Sequence, residues 1–200
     1  TRNLKGSQDK IANSFAQLSS GNRINKSADD AAGLAISANL KAQIRSANQA
    51  NRNASDGVSM VQVAEGGLNE ISNIVIRLRE LGIQAASDTV GDRERGFINK
   101  EVQQLKDEAQ RIAQVTKWGD TSLLDGSTPV LDFQVGLNNS EFEDRISFDS
   151  SQNNATLDAL GIAGIDFTSK DGARTSLVNL DEAQVRVNEN RANLGALQNR

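Results

Sequence analysis

Few side chains in this sequence could do chemistry. Asp29 and Asp30 stand side by side ahead of an apolar run, and paired carboxylates can hold a hard cation. Adjacent residues at a helix start point apart, however, and no third ligand lies nearby, so helix capping is the better reading. The 200 residues include no Cys and no His, which removes disulfides, thiolate and imidazole nucleophiles and soft-metal sites. N-x-Ser/Thr sequons occur at Asn25, Asn53, Asn138 and Asn154, a pattern common by chance. The expectation is a protein without cofactor, metal or catalytic residues, and not an enzyme.

Charge and hydropathy narrow the partners. The 22 basic and 26 acidic residues give a net charge of −4, spread along the chain rather than gathered in a patch, which speaks against nucleic acid. No apolar run approaches the ~20 residues of a membrane-spanning helix, and Thr1 opens a polar segment with no hydrophobic signal region. The expectation is therefore no membrane and no nucleic acid.

The elements that would position any surface are helical. From Leu40 to Leu78 the residues Leu40, Ile44, Ala47, Ala54, Val58, Val61, Leu68, Ile71, Val75 and Leu78 recur mostly three and four apart, predicting one long helix of about 80 Å at ~1.5 Å per residue. Ile98, Val102, Leu105, Ala109, Ile112 and Val115 form a second stripe, and Leu180, Ala183, Val187, Leu194 and Leu197 a third. Three stripes can bury one another, as single amphipathic helices in water cannot. A shorter helix over Leu4–Leu18, with Leu4, Ile11, Phe15 and Leu18, leads through a connector at 19–30, where Asp29 and Asp30 offer caps. Gly57, Gly66, Gly67 and Gly82 inside the long helix each cost about 1 kcal/mol against Ala, so close packing of a neighbour is the expected reason for them.

Leu131, Phe133 and Val135, then Ile146 and Phe148, alternate with polar neighbours across a turn at Asn138-Asn139 and predict a β-hairpin. The last helix is expected to begin near Ser176. The predicted fold is mainly α: an elongated antiparallel helical bundle or coiled coil of two long N-terminal helices and one C-terminal helix, with a small β-hairpin region. Its expected parts are the N-terminal helices at 1–117, a hairpin and loop region at 118–176, and the C-terminal helix at 177–200.

Five blocks in order carry a family resemblance. Leu18-Ser-Ser-Gly-Asn-Arg-Ile-Asn-Lys-Ser-Ala-Asp-Asp-Ala-Ala-Gly-Leu-Ala-Ile36 resembles the N-terminal hallmark of bacterial flagellins. Asn51-Arg-Asn-Ala-Ser-Asp-Gly57, Ala64-Glu-Gly-Gly-Leu-Asn-Glu70 and Arg77-Leu-Arg-Glu-Leu-Gly-Ile-Gln84 are similar to later blocks, and Arg191-Ala-Asn-Leu-Gly-Ala-Leu-Gln-Asn-Arg200 to the C-terminal one. The resemblance spans nearly the whole chain. It implies the rod-shaped D1 core of a compact flagellin, without the terminal D0 segments that line a filament.

That resemblance implies a structural, self-assembling subunit of the extracellular flagellar filament, a propeller for motility, with a hook–filament junction protein as the alternative. It also implies as partners other flagellin subunits, an export chaperone, cap and junction proteins, and type III export without a cleaved signal peptide. In many flagellins the Arg-x-Arg-Glu-Leu block and a Glu on the returning helix meet the Toll-like innate receptor that senses flagellin. Arg77, Leu81 and Glu101 stand at the matching positions. Gln84 is expected on the face of Arg77 and Leu81, and Gln104 on that of Glu101, from helical spacing. The departures are Ile76 and Gly82, where a polar residue and Ala are common in receptor-active relatives.

Overall fold

The computed structural model describes residues 2–200, apart from the side chains of Arg2, Asn3 and Asp9. Five helices and two short antiparallel sheets follow in the order α1 (Arg2–Ser20), α2 (Ala31–Ala85), α3 (Asp92–Val115), β1 (Lys117–Trp118), β2 (Thr121–Ser122), β3 (Leu131–Gln134), β4 (Arg145–Phe148), α4 (Leu157–Leu160) and α5 (Lys170–Asn199). The mainly α architecture is thus as expected. The chain forms two compact units, one ending at Asn51 and one spanning Arg52–Arg200, with the boundary inside α2.

In the first unit, α1 stops at a turn where Gly21 takes a φ of 66°, a conformation costly to any residue with a Cβ. The following loop folds back on the helix: the Asn25 amide donates to the Ala16 carbonyl at 3.0 Å. The two acidic residues then divide the work of starting α2. Asp30 caps it, its carboxylate accepting from Gly33 N–H at 2.9 Å, while Asp29 accepts from Lys26 N–H at 3.2 Å and holds the loop.

The second unit carries the core. Its part of α2 buries Met60, Ala64, Leu68, Ile71, Val75 and Leu78 against Val102 and Ala113 of α3 and Leu180, Ala183 and Val187 of α5. Both partners run antiparallel to α2. Arg77 meets Glu101 and Gly67 lies beside Thr116 on one side, while Arg79 meets Asp181 and Glu65 meets Arg191 on the other. Of Gly57, Gly66, Gly67 and Gly82, close approach accounts for Gly67 and Gly82. A Cβ on Gly67 would fall 2.7 Å from Thr116 Oγ1 and 2.8 Å from Leu124 Cδ1, and one on Gly82 2.9 Å from Leu177 Cδ2. A Cβ on Gly57 would make only ordinary contact with the Phe133 ring, at 3.4 Å, and one on Gly66 would face open space.

The turn after α2 is closed by a buried cation. Arg95 donates to the carbonyls of Ala85 and Ser87 and to the Asp92 carboxylate, each at 2.8 Å, and so satisfies acceptors that a helix C-terminus leaves open. The hairpin has the register Leu131↔Phe148, Asp132↔Ser147, Phe133↔Ile146 and Gln134↔Arg145. It is tied to α2 by the Asn53 amide, which donates to the Gln134 carbonyl at 2.9 Å.

Two expectations need correction. The apolar seam of α2 is not buried along its whole length: Leu40 and Ile44 are exposed, and deep burial begins at Ala50. Beside the hairpin and the end of α5, Ala54 is half-buried and Val58 still 37% exposed. The last helix begins at Lys170, not near Ser176. Ser169 caps it, its hydroxyl accepting from Gly172 N–H at 3.0 Å, and Ser176 is a buried mid-helix residue whose hydroxyl accepts from Asp166 N–H. The early turns hide because their buried residues, Ala173 and Ser176, are small and make no apolar stripe.

Candidate interaction surfaces

The described residues hold no group of three or more His, Cys, Asp or Glu side chains placed for a metal, and no helix among them is long and apolar enough to cross a membrane. What the chain offers is surface. Three faces stand out, each built by helical spacing.

The first lies across α2 and α3. Arg77 sends Nη2 and Nε to one Glu101 oxygen at 2.8 and 3.1 Å, and Nη1 to Glu80 at 3.0 Å. These hydrogen bonds, Glu101 first, raise the Arg77 pKa above its ordinary value. The pair is solvent-exposed, so its worth lies in holding the guanidinium in one orientation rather than in stability. Gln84 and Gln104 are exposed on the same two helices. Leu81 is not part of this face: it is 3% exposed and belongs to the core. Seven residues of helix carry Arg77 round to Gln84, but Leu81 between them turns far enough inward to be covered. Of the two departures, Ile76 is exposed, whereas Gly82 packs toward Leu177 and Phe167.

The second face flanks the groove between α2 and α5. Ile76 and Ile83 on one helix and Val178 and Val185 on the other are 47–59% exposed. Between them the Arg79 Nε and Asp181 Oδ1 meet at 2.6 Å. Sequence reasoning missed this face because each residue falls one step outside the buried stripe of its helix.

The third surface consists of stripes on α1 and on the start of α2. Leu4, Ile11, Phe15 and Leu18 of α1, with Ile36, Leu40 and Ile44 of α2, are all 53–80% exposed. Among the described residues of this unit only Ala50 is buried. Monomeric soluble proteins seldom leave apolar stripes of this extent in water, and those that do use them for association.

Comparison with known proteins gives these faces a context. The family description "Bacterial flagellin N-terminal helical region" matches residues 1–128. The chain is 38% identical to a flagellin of Halalkalibacterium halodurans over 199 residues, covering all of this chain and 72% of that protein. It is 36% identical over 214 residues to the flagellar filament 30.7 kDa core protein of Treponema maltophilum, covering all of this chain and 73% of the relative. Among solved structures, the flagellin of Bacillus cereus superposes with a TM-score of 0.65 at 28% identity, over 74% of this chain and 83% of that one. These relatives do not favour a hook–filament junction protein. The chain belongs to the bacterial flagellin family and is a structural subunit of the extracellular flagellar filament rather than an enzyme.

Proposed function

We propose that the stripes of the first unit are the surfaces through which neighbouring subunits bury one another when the filament grows. The exposure of Leu4, Ile11, Phe15, Leu18, Ile36, Leu40 and Ile44 carries this reading. Burying a large apolar side chain contributes roughly 1.5–3 kcal/mol, so seven supply on the order of 10–20 kcal/mol, enough to offset an association cost of about 4–15 kcal/mol. A contact made by one face onto a different face repeats without closing, as a helical filament requires. The test is electron microscopy of filaments grown from the triple variant Phe15→Gln, Leu40→Gln, Ile44→Gln, with flagellin-type terminal segments joined to it and to the unaltered chain. Loss of filaments with the fold intact is expected, and filaments of normal length and yield would refute the assignment.

The Arg77–Glu101 face, with Gln84 and Gln104, is the surface proposed for the flagellin-sensing Toll-like receptor. Its support is the match to the receptor-active block together with the exposure and pairing of these side chains. Leu81 can serve this face only by holding α2 in place. In a receptor reporter assay Arg77→Ala and Glu101→Ala should each lower potency about tenfold or more, as truncation of an interface hot spot does. Equal potency of all three proteins would remove the assignment. Export through the flagellar type III apparatus without a cleaved signal peptide, and partnership with an export chaperone, a tip cap and junction proteins, rest on family likeness alone.

A further inference from the structure

The loop between β3 and β4 holds an Asn–Ser step from both sides. Asn139 is exposed, and its side-chain oxygen accepts from Arg145 Nη2. The N–H of the next residue, Ser140, donates to Asp144 Oδ2 at 2.9 Å. Asp144 is only 6% exposed, and its other carboxylate oxygen accepts from Asn138 N–H at 3.2 Å. Consecutive residues leading into β4 therefore grip the step, Asp144 by its backbone nitrogen and Arg145 by its carboxamide.

The grip is firm. Asp144 N–H donates to the Ser140 carbonyl at 3.1 Å, and the Asp144 carbonyl accepts from Val135 and Gly136 N–H at 2.8 and 3.0 Å. The Gln134 amide donates to the Gly136 and Asn138 carbonyls. Every one of these bonds lies within residues 134–145. An amide nitrogen with a base in hydrogen-bond reach, beside a carbonyl whose oxygen meets a fixed cation, is the set of groups that succinimide formation uses.

We propose that Asn139 is a self-modifying site, which this loop converts to aspartate and isoaspartate with water as the only co-reactant. The Ser140 nitrogen attacks Asn139 Cγ and forms the C–N bond of a five-membered ring, while its proton passes to Asp144 Oδ2. The negative charge that develops on Asn139 Oδ1 is met by the Arg145 guanidinium. Collapse of the tetrahedral centre breaks the bond from Cγ to the side-chain nitrogen, which takes the proton back from Asp144 and leaves as ammonia. Water then opens the ring at either carbonyl. Nothing is oxidised or reduced, because the net change is hydrolysis of an amide to an acid. The product carboxylate keeps Arg145 as its partner and adds a negative charge to a loop that already exposes Glu141 and Glu143.

Peptide mapping by mass spectrometry, on the full chain held warm at neutral pH, reads the reaction at each asparagine. Asn13–Ser14 is the chain's other Asn–Ser step and serves as the internal reference. In the urea-unfolded chain the two steps share their local chemistry and should convert at similar rates. In the folded chain Asn139 should convert about tenfold faster or more than it does in urea, since a positioned base contributes that much and above. Asp144→Asn keeps an acceptor for Ser140 N–H but cannot take its proton, and Arg145→Gln removes the cation. Each variant should bring the Asn139 rate back toward the unfolded value, with Arg145→Lys between Arg145→Gln and the unaltered chain. Should Asp144→Asn loosen the loop, Arg145→Gln and the folded–unfolded comparison still decide the matter. A folded chain in which Asn139 converts no faster than in urea would overturn the proposal, as would an acceleration that survives both variants.

Discussion

Apolar residues spaced three and four apart run through both units, yet they end in opposite environments. In the unit from Arg52 onward, Leu68, Ile71, Val75 and Leu78 of α2 are completely or almost completely buried by α3, α5 and the loops between them. In the unit ending at Asn51, Ile36, Leu40 and Ile44 continue the same helix and face water, as do the large apolar residues of α1. Periodicity therefore states that a face wants covering. It does not state whether the cover comes from the same chain.

Substitutions can break this comparison most sharply where it is most extreme. Leu68→Ala removes a fully buried side chain and should cost about 2–5 kcal/mol in urea unfolding. Phe15→Ala, a larger truncation on the exposed stripe, should change stability by no more than about 0.5 kcal/mol. Equal effects in the two would abolish the contrast.

Arg95→Ala tests how much of the second unit depends on a buried charge. It leaves the Ala85 carbonyl without its side-chain donor and the Ser87 carbonyl with only the 3.4 Å bond from Val90 N–H, and should cost about 2–3 kcal/mol in the same measurement. The neighbouring glycines of α2 give a smaller, signed test. Gly67→Ala forces a methyl group against Thr116 and Leu124 and should destabilise by about 1–3 kcal/mol. Gly66→Ala meets open space and should stabilise by up to about 1 kcal/mol. The smallest effect is set by pH. Lys170 donates to Asp88 at 2.7 Å and holds that carboxyl below its usual range, so the tie between the α2–α3 turn and the start of α5 adds stability at neutral pH. That contribution is lost as pH falls below the ordinary carboxylate range, near pH 4, through the lowered Asp88 value. Asp88→Asn should flatten this acid limb of the stability profile and leave the neutral arm changed only slightly.

Much of the architecture was legible in the residues. The stripes on α2, α3 and α5 and the alternation in β3 and β4 follow from spacing, and Asp30 before an apolar run announced its cap. Other features depend on what lies beside a residue in space. Leu40 and Leu68 carry the same side chain in the same pattern, and only the reach of their neighbours separates them. Leu81 matched a surface block by sequence, yet its place on the helix turns it into the core. Arg95 resembled the surface arginines around it until three acceptors were seen converging on it.

Hydrogen–deuterium exchange on the free subunit and on filaments tests the central claim most directly, because it reads each helix in both states. The account predicts that amides from about residue 60 to 81 are protected in both, while those of α1 and of α2 before Ala50 exchange far faster in the free subunit and become protected in the filament. Strong protection of α1 and early α2 in the free subunit would contradict it, as would their continued rapid exchange after assembly.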